Sequence, residues 1–570
     1  MKKTYVNIQL WLLLFTLVLI SSCSGQSNTT APGNTIESIA QTLKENNHLP
    51  VAERIALYHR LKKENPKGYN FKNEDELTMY GYSLLWSNKV IEAIEIFKLI
   101  VEQFPNSSNP YDSLAEAYMM NGNNELAILN YEKSLELNPN NFNAEDQIER
   151  IKYPNKIAET PAEKFGKIYT PKEYKNDLDQ LGKRLMEVHP KTFKFISKEA
   201  FWAIIEEKKG LITANTTYSE FRWHCSEIIA SINCSHTAMG SFYPENEMLP
   251  ISLRFPVQTR WVNNQLFVID PLNNKNNVRI KDEIISINGI AVSKLISDVY
   301  KHIPSQGYIE TTKKHFFNTW ATGLIPFALN FPATYKIRVN GEENKIILNK
   351  AKTFKDPLND ESIKRCANNL CFKILGDDKN AILTISSFNY YPWNNLTVFE
   401  DFIDASFKDM AEKGVENLII DLRFNGGGSQ ESSIHLLKYL VDKPFVYSTS
   451  KTDNQEPFSN SFKGQVYYLI DGEGNSTTGH FMSFVKELNL GIIIGEELGS
   501  NQFCTAGQTI CRLENTKLVY YVANSTNETM VTSLPDEIGI LPDYSVTQSI
   551  DDYVNKIDAV KKFALSLIEE

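Results

Sequence analysis

The sequence predicts a multidomain protein: α-helical repeats, a helical segment, a β-rich domain and an α/β core, in that order. Three observations carry this prediction. Small, aromatic and Pro residues recur with a 34-residue period within residues 77–142. An alternating stretch with an Asn-Gly turn lies within residues 280–292. From Ala381 onward, apolar strand-like runs alternate with helical stretches, which is typical of a layered α/β core.

Length and composition indicate a protein with several folded domains. The 570 residues are enough for roughly three to five domains of typical size. Hydrophobic residues make up 42% of the chain, so cores can form. The net charge of −10 and the absence of a strong basic run in the sequence argue against nucleic acid as a partner, because binding it requires basic patches that neutralise phosphates.

Residues 1–22 are typical of an export signal. Lys2 and Lys3 precede a nearly all-apolar run from Ile8 to Ile20. This run is too short to span a bilayer but has the length of a signal core.

The end of this signal, LISSC, resembles the bacterial lipobox. In such signals the cysteine, here Cys23, is lipidated and becomes the mature N-terminus. We therefore expect a lipid anchor followed by a flexible tether over 23–35, in a bacterial cell envelope, on the periplasmic side or at the surface. The alternative is an ordinary secretory signal that is cut near the same place.

Six further cysteines permit disulfides in an oxidising compartment. Fifteen connectivities are possible, so the sequence does not fix the pairing. Their spacing does not resemble a zinc site, and we predict no metal. The pairs that are nearest in sequence are Cys225/Cys234, Cys366/Cys371 and Cys504/Cys511.

Residues 36–150 are predicted to form helical repeats. The 34-residue period, with small, aromatic and Pro positions in that order, resembles the tetratricopeptide repeat, whose helix hairpins stack on one another. Two readings stay open: a structural spacer, or a surface that docks a protein partner. The positions that recur are Ala93 and Ala127, Phe97 and Tyr131, and Pro105 and Pro139.

Two further regions precede the core. Residues 165–245 have helical apolar spacing and end in SINCSHTAMGSF. Residues 246–350 are predicted to be β-rich, and IKDEIISINGIAV within them combines an alternating strand with an Asn-Gly turn. This stretch resembles part of a PDZ domain, which takes an extended peptide as an added strand. An ordinary hairpin is the alternative.

Residues 366–570 are predicted to be the α/β core, and Ser476 lies where its strand QVYYLI passes through a polar loop into a helix. Such a serine is either a nucleophile or a helix N-cap, because serine side chains commonly accept the orphan N–H groups of a helix start. Another strand, NLIIDLR, leads into FNGGGSQ. Glycines let backbone N–H groups approach a ligand closely, and a nucleotide site is not expected without the Lys-Ser/Thr that follows a phosphate-binding loop. A backbone oxyanion hole fits better.

LIIDLRFNGGG, a strand, a serine at a helix start and then GIIIGEELG resemble the C-terminal processing (tail-specific) peptidase family. The closing DEIGILPDYSV is also similar to that family, and the resemblance covers roughly residues 165–570. It implies a crotonase-like spiral of βαβ units, serine peptidase activity and no cofactor. It also implies that Ser476 is the nucleophile, with Phe481 and Gly495–Glu496 on matching positions.

Two positions depart from the common branch of the family. The Lys base about 25 residues after the serine is replaced by Asn501, and the Glu three residues after the serine is replaced by Gly479. The other branch resembles the tricorn-protease core, where a His acts as the base, the Ser before it orients it, and a C-terminal acid completes the set. This resemblance implies His236 as base and Ser235 as its orienting residue.

The acid implied by the same resemblance is Asp536, with Glu537 as the alternative. His is a suitable base because its ordinary pKa lies near neutrality, and a base needs an orienting partner. His480 is the other candidate base, although one helical turn after Ser476 it would point along the helix side. The predicted oxyanion donors are the backbone N–H groups of Gly426, Gly427 and Thr477.

The sequence therefore predicts an envelope-anchored serine endopeptidase that acts on peptides or unfolded proteins. The alternative is a non-catalytic scaffold that binds partners through the repeats and the PDZ-like part, since a fold alone does not establish function. A third reading, a small-molecule hydrolase, shares the nucleophile and would require a closed pocket instead of a peptide groove.

Overall fold

The structure, a computed structural model, describes residues 36–156, 159–239, 249–353, 366, 369–376, 378–392 and 395–569. The predicted export signal, Cys23 and the tether lie outside the described residues. The described chain divides into two compact units. The first contains residues from 159–389 and 400–570, and the second contains residues up to 158 together with Tyr390–Phe399.

The second unit is helical, as the sequence predicts for its N-terminal region. Its helices are α1 (Ile39–Glu45), α2 (Val51–Glu64), α3 (Glu74–Trp86), α4 (Val90–Gln103), α5 (Ser108–Met120), α6 (Asn124–Leu137) and α7 (Phe142–Lys152).

The 34-residue period of the sequence reappears in the helix pairs. Helix α5 begins and ends 34 residues after α3 (108 − 74 and 120 − 86), and α6 is displaced from α4 by the same number. Asn73 caps α3 and Asn123 caps α6, each with its side chain. The recurring small and aromatic positions are fully buried, so the period marks the faces that pack between helices. These fully buried residues are Ala93, Phe97, Ala127 and Tyr131.

The first unit begins with a helical segment, as predicted. Thr170 and Thr217 each form a capping box with a Glu three residues later, which fixes where two of its helices begin. The helices are α8 (Pro161–Gly166), α9 (Pro171–Val188), α10 (Lys198–Leu211) and α11 (Tyr218–Ala230), and strand β1 (Ala238–Met239) follows.

An antiparallel sheet follows, and it includes the predicted Asn-Gly hairpin. Asn288 and Gly289 both have positive φ and join two paired strands, as a tight hairpin turn requires. Its strands are β2 (Gln258–Val262), β3 (Gln265–Asp270), β4 (Glu283–Ile287), β5 (Ile290–Ala291), β6 (Tyr335–Val339) and β7 (Ile346–Leu348).

The prediction that residues 246–350 are β-rich did not include two helices. These residues also contain α12 (Val292–Tyr300) and α13 (Glu310–Ala328). Thr and aromatic residues, which favour strands locally, are frequent in α13. Tertiary packing outweighs that preference, because Phe317, Ala321 and Leu324 bury one helical face.

The core is built on a second six-stranded sheet in the order β19–β14–β13–β10–β9–β8. All neighbouring pairs are parallel except β8 with β9. Gly414 has a φ of +70° and ends the first core helix. The elements are β8 (Leu370–Ile374), β9 (Asn380–Ile385), α14 (Leu396–Lys413), β10 (Asn417–Asp421), α15 (Gln430–Lys438), β13 (Gln465–Ile470), α16 (Thr477–Glu487), β14 (Ile492–Gly495), β19 (Tyr544–Ser545), α17 (Ile550–Val554) and α18 (Ala559–Glu569).

Shorter antiparallel pairs, which the sequence did not reveal, complete the core. The pairs are β11 with β12, β15 with β18, and β16 with β17, and β1 adds to β17. Strand β1 therefore ties the end of the helical segment to the core. The strands are β11 (Phe445–Ser448), β12 (Lys451–Gln455), β15 (Phe503–Ala506), β16 (Thr509–Arg512), β17 (Val519–Val522) and β18 (Ser525–Glu528).

One of the three sequence-near cysteine pairs forms a disulfide. Cys366 and Cys371 are bonded, with their Cα atoms 5.6 Å apart. Cys225, Cys234, Cys504 and Cys511 are free and buried. The other two sequence-near pairs therefore form no disulfide.

Physical contacts explain two of the free thiols. The Cys234 Sγ lies 2.7 Å from the Thr505 hydroxyl, and the Cys504 Sγ lies 3.4 Å from Nε2 of His480. Each sulfur thus packs against a polar group on another element.

None of the helices in the described ranges is both long and apolar enough to cross a bilayer.

The last helix is fixed to the core sheet by a buried guanidinium. Arg423 follows β10 and is 3% exposed, and its Nε and Nη2 donate to the two carboxylate oxygens of Asp421 at 2.8 and 2.6 Å. It also donates two bonds of 2.8 Å to Asp558. The Asp558 carboxylate in turn accepts the N–H of Lys561 in the first turn of α18. One cation therefore joins the strand end to the helix start.

Replacing Asp558 by Ala is expected to lower the free energy of unfolding of the core by about 3 kcal/mol or more, because it leaves part of the buried Arg423 unpaired. Denaturant unfolding measures the change. The matched control is Glu416→Ala, which removes an ion pair with Lys379 whose side chains are about 60% exposed and should cost less than about 1 kcal/mol. Equal losses in the two variants would contradict the assigned role of Arg423.

Candidate active site

Ser476 lies at the turn between the buried strand β13 and helix α16. Its backbone has φ 54° and ψ −122°, a conformation that non-glycine residues rarely adopt. Although it occupies the N-cap position, its side chain forms no capping hydrogen bond. The turn therefore holds the serine in a strained conformation that capping does not explain, and such strain is typical of functional positions.

Asn425 connects the glycine loop to this turn, and it is fully buried. Its side-chain amide donates to the Ile385 carbonyl at 3.0 Å, and its side-chain oxygen accepts the Gly427 N–H at 2.9 Å. Its backbone carbonyl accepts the Asn475 N–H at 3.2 Å and the Thr478 hydroxyl at 2.8 Å. One asparagine therefore fixes the ends of β9, β10 and β13 relative to one another.

Gly427 approaches the turn at Ser476 so closely that no side chain fits. It has a φ of +97°, and a Cβ there would lie 2.8 Å from the Cβ of Ser476 and 2.9 Å from the backbone nitrogen of Thr477. A Cβ on Gly428 would lie 2.2 Å from the carbonyl carbon of Phe388. In contrast, a Cβ on Gly426 would meet nothing within 4 Å. The glycines are therefore required at two of the three positions.

The predicted oxyanion donors differ in availability. Among the described residues, no acceptor is bonded to the N–H groups of Gly426, Gly428 or Thr477. The N–H of Gly427, which the sequence also predicted as a donor, is bonded to Asn425 instead. The side chain of Thr477 donates to the Gly428 carbonyl at 2.6 Å and holds the helix start against the loop. Free N–H groups at a helix start can stabilise a developing negative charge.

The segment that carries His236 is anchored to the core on both sides. The Gln508 side chain donates to the His236 carbonyl at 2.8 Å. The Thr237 hydroxyl accepts the Ala523 N–H at 3.0 Å, and Ala238 pairs with Tyr521. These contacts explain how a histidine about 240 residues before Ser476 reaches the core.

Ser235 brings this segment beside the turn that carries Ser476. Its hydroxyl donates to the side-chain oxygen of Asn475 at 3.1 Å and lies 3.2 Å from Nδ1 of His236. Among the described residues, no hydrogen bond joins His236 to Ser476. Burial lowers the pKa of His236 to about 4, and no carboxylate of the described chain opposes this effect. His236 is therefore neutral at pH 7.

His480, the other candidate base, is almost fully buried on α16. Its Nε2 lies 3.4 Å from Cys504 Sγ, and its Nδ1 has no hydrogen-bond partner in the described chain. Burial, with a smaller effect of His236, lowers its pKa to about 4. His189 is also buried, and the same two causes lower its pKa to about 4. His236 thus contributes to lowering the pKa of both His480 and His189, in each case less than burial does.

The predicted acid lies elsewhere. The Asp536 carboxylate is bonded to Lys194 at 2.5 Å and to the Gln502 side chain at 2.6 Å. The Glu537 side chain is exposed, and only its backbone carbonyl is bonded, to the N–H of Tyr308. Within the described residues, neither carboxylate is hydrogen-bonded to His236. The structure therefore does not bring together the complete predicted set, because nearby cations and amides hold the acid.

The two departures from the lysine-dependent branch are in contact with each other. A Cβ on Gly479 would lie 2.6 Å from the Asn501 carbonyl oxygen and 2.5 Å from the Ser500 hydroxyl. The Asn501 side chain donates to the carbonyls of Asp536 and Ile538 at 2.9 and 2.7 Å. Asn501 therefore organises the C-terminal loop instead of serving as a base.

A cluster of charged side chains contacts the segment that leads into the glycine loop. It consists of Asp471, Glu473, His315 and Glu496. The Asp471 carboxylate, at the end of β13, accepts the N–H groups of Phe424 and Glu473, and burial raises its pKa to about 6. Burial alone would lower the pKa of His315, but its contacts with Glu473 and Glu496 raise it to about 9. The Asp471 carboxylate thus holds the backbone of Phe424, which has a φ of +64° and lies two residues before Gly426.

Sequence reasoning missed three residues that shape this site. Asn425 lies directly before a glycine run and Asn475 directly before Ser476, and asparagine is common at such positions simply because it suits turns. Asp471 follows a buried strand of a parallel sheet, and that position could have been recognised because functional residues gather at the carboxyl ends of such strands.

No group of three or more metal-ligating side chains with suitable geometry occurs in the described part of the chain.

Comparison with known proteins agrees with the resemblance found in the sequence. Residues 379–546 match the model of peptidase family S41. This segment is therefore an S41 peptidase domain, and the predicted enzyme class, a serine-type peptidase, is confirmed. A search of curated proteins found no match.

Several solved structures are similar to this chain at low sequence identity. Mature CPAF complexed with lactacystin is 14% identical with a TM-score of 0.47, over 70% of this chain and 97% of that one. The photosystem II D1 C-terminal processing protease is 12% identical with a TM-score of 0.34, over 68% and 98%. The tricorn protease is 15% identical with a TM-score of 0.32, over 70% and 36%.

Substituting Gly427 should slow the reaction of Ser476 strongly, whereas substituting Gly426 should leave it almost unchanged. Gly427→Ala places a methyl group against Ser476 and the Thr477 N–H, so we expect reaction of Ser476 with a fluorophosphonate probe to fall by at least about 100-fold, as when an oxyanion donor is lost. Gly426→Ala meets open space and keeps its N–H, so its rate should stay within about threefold of wild type. Similar rates in both variants would contradict this geometry.

Proposed function

We propose that the protein is an envelope-anchored serine endopeptidase in which Ser476 is the nucleophile and His236 is the general base. The observation that carries the proposal is the strained, non-capping Ser476 beside unpartnered backbone N–H groups. A serine in this position has no structural use for its hydroxyl in the described chain. The S41 domain supports peptide or protein substrates.

In the proposed reaction, the Ser476 oxygen attacks a peptide carbonyl while His236 accepts the hydroxyl proton. His236 then returns this proton to the leaving amine, and water clears the acyl-enzyme by the same route. The base form of His236 is available because burial keeps the imidazole neutral. Since no hydrogen bond joins the two side chains in this structure, the reaction requires them to approach when substrate binds, as is common for substrate-free sites.

The negative charge of the tetrahedral intermediate needs donors that are free before the reaction. The N–H groups of Thr477 and Gly426 meet this requirement and belong to the predicted set. Helix α16 adds the positive end of its dipole at Thr477. Gly427 contributes in a different way, because its missing side chain leaves room beside the nucleophile.

Labelling with a fluorophosphonate serine probe tests the catalytic pair. Wild type should label, Ser476→Ala should not, and His236→Ala should label at least about 100-fold more slowly because the base is lost. Matched controls are Ser483→Ala, a buried serine of the same helix whose hydroxyl donates to the backbone carbonyl of His480, and His59→Ala, an exposed histidine of the repeats. Both should label like wild type.

A folded wild-type protein that remains unlabelled would contradict the proposal. The predicted alternative, a non-catalytic scaffold, would then account for the chain better. Labelling that survives in Ser476→Ala would instead show that the nucleophile is misassigned.

The membrane anchor requires a separate test, because Cys23 lies outside the described residues. We expect cells that express the protein to incorporate a labelled fatty acid into it and to retain it in the membrane fraction. Cys23→Ser should abolish both, since one substitution removes the acceptor thiol. Fatty-acid incorporation that persists in this variant would refute lipidation at Cys23, whereas export without any incorporation would favour an ordinary secretory signal.

A further inference from the structure

We infer that Asn475 is a positioning residue that fixes the tautomer of His236 through the hydroxyl of Ser235. This inference rests on the proposed function, because it assigns a role within the same site. It concerns a residue directly before the nucleophile, whose side chain no other feature of the site explains.

The three side chains form a continuous chain of hydrogen bonds. The Ser235 hydroxyl donates to Oδ1 of Asn475 at 3.1 Å. The same hydroxyl oxygen lies 3.2 Å from Nδ1 of His236. Both contacts are hydrogen bonds at the long end of the usual range.

The number of available protons determines which atom donates in each hydrogen bond. An amide oxygen can only accept, so the single hydroxyl proton of Ser235 is used in the bond to Asn475. The contact with His236 must then be a donation from Nδ1–H to the hydroxyl oxygen. A neutral imidazole carries one N–H, so Nε2 is left with its lone pair. A general base needs this lone pair to accept the proton of the nucleophile.

In a serine triad, a carboxylate normally accepts the Nδ1–H and selects this tautomer. In the described residues, the candidate acids Asp536 and Glu537 are not bonded to His236 or to Ser235. An amide oxygen on the nucleophile turn and a hydroxyl perform the same selection without a charge. The base and the nucleophile are thereby coupled through adjacent residues of one turn.

The backbone of Asn475 is held independently of its side chain. Its N–H donates to the Asn425 carbonyl at 3.2 Å, and its own carbonyl accepts the Thr478 N–H at 3.0 Å. Substituting the side chain therefore removes the bond to Ser235 and leaves the turn's main-chain bonds in place. This property makes the inference testable by mutation.

The experiment compares Asn475→Ala, which removes the acceptor, with Asn475→Asp, which keeps an oxygen in its place. The pH dependence of fluorophosphonate labelling is measured for each and for wild type, with thermal unfolding to confirm folding. In parallel, long-range proton–nitrogen NMR correlations of ¹⁵N-histidine report the tautomer of His236. The NMR uses the Ser476→Ala background, and the signals are assigned by their loss on adding His236→Ala.

We expect wild type to carry its proton on Nδ1 and to lose labelling only as the pH falls towards about 4, where His236 becomes protonated. Asn475→Ala should populate the Nε2–H tautomer and label at least about tenfold more slowly, since the wrong tautomer costs about 10⁴-fold in a serine triad. Asn475→Asp should keep the Nδ1–H tautomer and label within about tenfold of wild type. Its acidic limb should move to higher pH, because the new negative charge stabilises the imidazolium.

The inference is overturned if Asn475→Ala keeps both the wild-type rate and the Nδ1–H tautomer, or if Asn475→Asp loses as much as Asn475→Ala. The second result would mean that the amide nitrogen of Asn475, and not its oxygen, faces Ser235. The NMR signal does not depend on catalysis. A tautomer change in a protein that never labels would therefore reject the proposed nucleophile and keep the coupling, whereas normal Ser476 labelling with no effect of Asn475 would reject the coupling alone.

Discussion

The geometry of the site depends on the buried side chain and carbonyl of Asn425. Its four hydrogen bonds join the end of β9, the glycine loop after β10 and the turn after β13. Parallel strands bring these ends to one edge of the sheet, but they do not set the loops to within an ångström of one another. The asparagine does so, and only because Gly427 has no side chain can the glycine loop lie against Ser476.

The same tight packing explains why residues 479 and 501 depart from the lysine-dependent branch. Ser500 and Asn501 pack against Gly479 of α16 so closely that no side chain fits at position 479. Asn501 then uses its amide to hold the carbonyls of Asp536 and Ile538. A lysine at that position would lose those bonds, and a glutamate at position 479 would collide with the backbone. The two departures are therefore one structural change, and in the proposed mechanism the base comes from another segment.

The sequence predicted the elements of the core well because their signals are local. Continuous apolar strands and amphipathic helices gave β9, β10, β13, α16 and β14, and the 34-residue period gave the helix pairs. Contacts between distant segments were not predictable in the same way. Asp536 is drawn to Lys194, more than 300 residues away, and Ser235 finds its acceptor at position 475. Neither choice leaves a local pattern, since each depends on which loops the fold brings together. The helix α13 was missed because its composition favours strands while its packing favours a helix.

In the proposed mechanism, uncharged groups orient the base, so a larger part of the rate enhancement must come from stabilising the oxyanion. An imidazolium beside a carboxylate is stabilised by charge, whereas His236 meets a hydroxyl and, beyond it, an amide. Burial further lowers its pKa to about 4, so it is a weak base for a serine hydroxyl. What such a base gains is that it stays unprotonated in acid. In this mechanism, the rate enhancement that a weak base does not supply comes from stabilising the negative charge of the oxyanion. The packing of Asn425 and Gly427 determines where the free N–H groups of Thr477 and Gly426 lie. The constraint that forms the turn thus also determines where the rate enhancement can arise.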